Sequence, residues 1–123
     1  MAPSEAAAGG GALTELRVAR GNLYLSHALC TRHLPQTAAV ALLAREGDVL
    51  IVPLHPGSAG GLLLKQRNAA GDRVIHAQEF FRNHGFDEEC GPRTLPVRWC
   101  TQRAALLVSG LPRSGSGNQT ISA

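Results

Sequence analysis

The chain comes close to repeating itself. GNLYLSHALCTRHL, starting at Gly21, and GDRVIHAQEFFRNH, starting at Gly71, share a layout at an offset of fifty residues. Gly21 aligns with Gly71, Leu25 with Ile75, Cys30 with Phe80 and Arg32 with Arg82. A repeat of this kind restricts the fold to one supersecondary unit built twice, neither copy able to bury its apolar side alone.

Each copy reads strand, tight turn, strand, short helix, strand, hairpin, strand. Upstream of the glycines lie the extended segments Leu16 to Arg20 and Leu62 to Arg67. Downstream, Val40 to Leu43 and Val49 to Val52 flank Glu46-Gly47-Asp48, a hairpin turn in which glycine supplies positive φ. The matching runs in the second copy are Leu95 to Trp99 and Ala104 to Val108. Ser26 is placed to cap a helix with Leu29, Cys30, His33 and Leu34 on its buried face, stopped by Pro35. In the second helix Ala77, Phe80, Phe81 and His84 share a face and Gly85 provides the left-handed cap. The expected fold is therefore mainly β with two short helices (α+β), a small barrel-like domain of two pseudo-repeats of swapped-hairpin type.

Residues 13–54 form the first repeat, 55–60 the linker with its Pro56, and 61–111 the second repeat, which completes one domain with the first. Residues 1–12 and 112–123, rich in small and polar residues, read as flexible tails. At 123 residues and 44% hydrophobic the chain suits one core, and a core so small favours association, so a homo-oligomer is expected. No apolar run reaches the roughly 20 residues of a membrane-spanning helix, and no secretory signal is evident. The three cysteines are odd in number and widely spaced, which speaks against a disulfide framework. A cytoplasmic location and no membrane partner follow as expectations.

The order of these elements resembles the AbrB/MraZ-like swapped-hairpin domains, in which two such units interlock into one barrel. The likeness covers most of Leu13 to Leu111; Arg32 and Arg82 match the family's helical arginine, while Ser26 and His76 stand where it carries proline. The resemblance implies an intramolecular pseudo-dimer that binds DNA through the first part of each unit. That role falls here on Arg17, Arg20, Lys65, Arg67 and Arg73, whose chemistry suits phosphate.

The net charge of +3, with Lys65 the only lysine, permits nucleic-acid contact without requiring it. No nucleophile elbow or phosphate-cradling glycine loop is present, so no enzyme and no cofactor are implied. His27, His33, His76, His84, Cys30, Cys90 and Cys100 are zinc-type ligands but lack paired spacing, and no metal is expected. Asp87, Glu88 and Glu89 read as a solvated loop. Trp99 is assigned to core or interface. Two functions stand: a DNA-binding transcriptional regulator or antitoxin-like protein, and an accessory subunit that binds a larger protein complex.

Overall fold

Two hairpins set by two-residue turns are the local units of the first half of the sheet. The computed structural model describes residues 15–114. Glu15–Ala19 (β1) turns through Arg20 and Gly21, both at positive φ, into Asn22–Leu25 (β2). Ala39–Arg45 (β3) turns through Glu46 and Gly47, again both at positive φ, into Asp48–Pro53 (β4). This is the primed turn geometry that matches strand twist. Between the hairpins lies His27–His33 (α1), whose cap is Ser26: its Oγ accepts from the Leu29 N–H at 3.1 Å.

The second half repeats the plan with longer connections. Leu62–Leu63 (β5) and Lys65–Gln66 (β6) are followed by Arg73–His76 (β7), then Gln78–His84 (α2), Arg93–Cys100 (β8) and Ala105–Val108 (β9). Gly85, left-handed at φ 78°, ends α2 as its position implies. The first residue of α2 follows Ala77, whose methyl group offers no side-chain cap, while the His76 ring lies 3.0 Å from the Asn22 amide oxygen.

The nine strands of the described residues join in the order β5-β3-β4-β9-β8-β1-β2-β7-β6. The halves cross over: β1 pairs with β8 of the other half, and β5 pairs with β3. The hairpins also lie side by side, β2 against β7 and β4 against β9. The two edge strands, β5 and β6, are separated in the chain by Leu64 alone, so the sheet is a nearly closed barrel. Leu64 donates its N–H to Ala38 and buries its side chain, which breaks the strand at the seam.

Buried and exposed residues alternate along β2 and most of β1 and β8, whereas β4 buries Val49, Leu50 and Ile51 in succession, and the core is wholly apolar among the described residues. Leu23 opposes Ile75 at the centre of the β2–β7 pair, both fully buried. Leu29 of α1 and Phe81 of α2 are fully buried as well, as is Phe86 just beyond α2.

The register corrects the repeat alignment read from the sequence. Val18 pairs with Leu23 in the first half, and the Lys65–Val74 pairing continues to align Leu64 with Ile75. Leu23, rather than Leu25, is thus the counterpart of Ile75. The helices differ too: Leu34 donates to the Cys30 carbonyl as Gly85 donates to that of Phe81, so Cys30 corresponds to Phe81 rather than Phe80. The cause lies in the turns. Arg20-Gly21 closes the first hairpin, whereas Arg67 bonds Asp72 across a wider loop in the second, so Gly21 and Gly71 occupy unlike positions. Residues 112–114 also pack back: Asp87 donates to Pro112, Ser114 to Gly85, and Phe86 bridges Arg113. The remainder of the expected tails lies outside the described residues.

Because Leu23 and Ile75 meet at the join between halves, truncation of either to Ala should cost about 2–5 kcal/mol in urea unfolding. The double variant should depart from additivity by about 0.5 kcal/mol or more, since the residues share one packing site. Additive losses would show that the halves pack independently.

Candidate nucleic-acid interface

Alternation along β1 sends Leu16 and Val18 inward and leaves Glu15 and Arg17 on the outer surface. Arg17 lies directly across from Tyr24 on β2 and from Thr94 on β8. Its guanidinium carbon sits 5.8 Å from the Tyr24 ring centroid. Arg67, just beyond β6, brings a second guanidinium to 4.7 Å from the same ring. One tyrosine therefore gathers two arginines that are fifty positions apart in the chain. Both separations are within cation–π range.

The Tyr24 ring is itself fixed. Its hydroxyl accepts from the Asn22 amide at 3.2 Å, and Asn22 Oδ1 accepts from Gln78 at 2.7 Å and lies 3.0 Å from His76 Nδ1. Around the ring is a concavity of about 280 Å³ whose wall includes Arg17, Arg67, Ser26, Thr94, Glu15 and Asp72. Asp72 is already engaged: its carboxylate accepts from the Asn68 amide at 3.0 Å and the His27 N–H at 2.9 Å. These bonds hold its pKa below the ordinary carboxylate value, the Asn68 bond contributing most, followed by His27 and the charge of Arg67. Neither the Arg17 nor the Arg67 guanidinium has a hydrogen bond or ion pair among the described residues, so both N–H forks remain open to an anion.

The other residues singled out in the sequence are placed differently. Lys65 is exposed on β6 opposite Val74 and belongs to the same outer surface. Arg20 is exposed in the β1–β2 turn, where its backbone is tied at both ends: the N–H to Cys90 at 2.7 Å and the carbonyl to Gln78 at 3.0 Å. Arg73 stands apart. It is half-buried, and its guanidinium donates to the Leu64 carbonyl at 3.1 Å, holding the seam of the barrel. Arg73 also faces Cys30, where burial pushes the thiol up to about 11, a shift its positive charge only partly offsets.

Trp99 is half-buried against the core and stacks on His33, with ring centroids 5.2 Å apart and planes 7° from parallel. Among the described residues no three His, Cys, Asp or Glu side chains gather as a metal site. The acidic run is used internally: Glu88 takes a bidentate bond from Arg82 at 3.0 Å, and Asp87 accepts the Glu89 N–H.

The fold's internal symmetry makes this arrangement one-sided. Leu16 faces Leu95 as Leu62 faces Val40, so the counterpart of Arg17 is Leu63 and that of Thr94 is Ala39. Tyr24 corresponds to His76 across the Leu23–Ile75 centre. Among the described residues the aromatic clamp exists once. Sequence reading selected Arg17 and Arg67 but missed Tyr24, whose only signal was its place in the strand opposite Arg17.

Comparison with protein-family models, with curated proteins and with solved structures finds no match. No described helix is long and apolar enough to cross a membrane.

His33 has a pKa lowered from its ordinary value of 6.5, chiefly by burial and next by the charge of Arg32. The unfolded chain binds that proton more readily than the fold does. The stability from a neutral His33 is therefore full above pH 6.5 and is lost as pH falls through the lower folded value. Urea midpoints should drop on acidification through that window, and His33→Gln should flatten the drop; an unchanged slope would show that His33 carries none of it.

Proposed function

We propose that this protein is a DNA-binding regulator that grips backbone phosphates with the Arg17–Tyr24–Arg67 clamp, assisted by Lys65. The observation that carries the reading is the convergence of two uncommitted guanidiniums on one immobilised ring. A pre-placed arginine fork loses less freedom on binding than a free one, and phosphate oxygens accept its paired N–H groups. The layout resemblance to AbrB/MraZ-like domains and the crossed pairing of the two halves support the same reading. Arg20 at the neighbouring turn extends the cationic surface; Arg73 serves the barrel seam instead.

Exposed Leu43 at 49% and Leu63 at 64% favour a second reading, an accessory subunit that docks an apolar outer face on a larger complex. A stable companion protein recovered from the native host, lost on Leu43→Asp, would support that reading over DNA binding.

Anisotropy titration of a random duplex should show affinity falling linearly with salt on logarithmic axes. Each of Arg17→Ala and Arg67→Ala should reduce the slope by about one unit. Tyr24→Phe should bind nearly as the parent does, because the ring remains, whereas Tyr24→Leu should weaken binding several-fold. Absence of binding at low salt would end the proposal.

A further inference from the structure

A second group of arginines gathers at the other end of β8, and none of them was distinguishable in the sequence. Arg45 closes β3, Arg98 lies on the outer face of β8 opposite Leu107, and Arg103 sits in the four-residue loop, 101–104, between β8 and β9. All three line one cavity of about 310 Å³. Its lining is completed by Glu46, Asp48, Leu50, Gln102 and Leu107, together with half-buried Cys100.

The construction is fixed by backbone rather than by chance contact. Arg45 opposes Asp48 across the Glu46-Gly47 turn, whose two positive φ angles set the strands' register there. Arg103 is held by its N–H to the Cys100 carbonyl at 3.2 Å, and the loop ends with Ala104 at φ 50°. None of the three guanidiniums has a hydrogen bond or ion pair among the described residues. Their donors are therefore unspent. Three cations against the two carboxylates leave the cavity one positive charge in excess.

We infer that this cavity is a phosphate-binding site formed by Arg45, Arg98 and Arg103. Three guanidinium forks lining one cavity from two strands and a loop match a group with three acceptor oxygens better than a planar carboxylate with two. Leu50 and Leu107 place apolar side chains in the lining beside these donors, and a contact shielded from water there is strengthened. The carboxylates of Glu46 and Asp48 accept hydroxyl hydrogen bonds, so a phosphate carried by a hydroxyl-bearing molecule is satisfied at both ends. The inference does not depend on the Tyr24 clamp. Thr94, which lines that clamp, and Arg98 are four residues apart on β8, about 13 Å along the strand, so the two sites are separate.

Cys100 provides the test, because Cys30 and Cys90 are buried and Cys100 is not. The rate of its alkylation by N-ethylmaleimide in the full chain reads whether the cavity is filled. Pyrophosphate should slow that rate several-fold and saturably, while chloride at matched ionic strength should not. Arg98→Ala and Arg103→Ala should each abolish the slowing, and Arg82→Ala, an equal loss of charge elsewhere, should preserve it. If Arg98→Ala fails to fold, Arg103→Ala in the exposed loop retains the test. A rate indifferent to pyrophosphate, or equally slowed in Arg103→Ala, would overturn the site. Two further probes identify the phosphate's source: slowing by a nucleoside monophosphate alone marks a free phosphorylated ligand, and slowing by an oligonucleotide lacking terminal phosphates marks a nucleic-acid backbone. Either result supports the site, and duplex binding through Arg17 and Arg67 is read separately.

Discussion

Neither half of this chain can satisfy its own strand edges, and the rest of the structure follows from that. β1 needs β8 and β3 needs β5, so each half lends its first strand to the third strand of the other. A buried backbone N–H or C=O without a partner costs as much as a lost hydrogen bond, which makes the crossed arrangement cooperative. It also decides where the core lies. Leu23 and Ile75 oppose one another only because β2 and β7 meet at the join. The helices, each seven residues long, are too short to persist alone and survive by burying Leu29, Cys30 and Phe81 against the barrel.

The two halves share one scaffold and differ on the surface it presents. Positions that face inward remain apolar in both halves, as with Val18 and Leu64 or Val40 and Leu95. Outer positions are under no such constraint, and there the copies part: Arg17 is matched by Leu63 and Thr94 by Ala39. The same holds near the helices. Trp99 occupies the strand position that Ala44 holds in the other copy, and it stacks on His33 of α1, the helix of the first half. A symmetric barrel thereby presents an asymmetric charge distribution.

Features with a local cause were legible in the chain. The Glu46-Gly47 turn, the Ser26 cap, the Gly85 terminus and the two-copy layout each depend on residues within a few positions of one another. The alignment of the copies was not, because matching glycines at Gly21 and Gly71 outweighed the length of the second turn, and loop length leaves no residue-type signature. Arg73 looked like its exposed neighbours on a strand, yet its guanidinium reaches the Leu64 carbonyl across the seam. The cluster of Arg45, Arg98 and Arg103 was invisible for a related reason: its members lie on two strands and a loop brought together by the β4–β9 pairing.

Taken by itself, the amino-acid order determined that the chain builds strands, two brief helices and a doubled plan, since turn chemistry, capping and alternation act over a handful of residues. Which strand lies beside which, and hence that Tyr24 draws Arg17 and Arg67 together, was decided by tertiary structure alone. The physical reason is that strand pairing is a long-range choice: backbone hydrogen bonds are indifferent to sequence, and only closure of the whole barrel around one apolar interior selects the register.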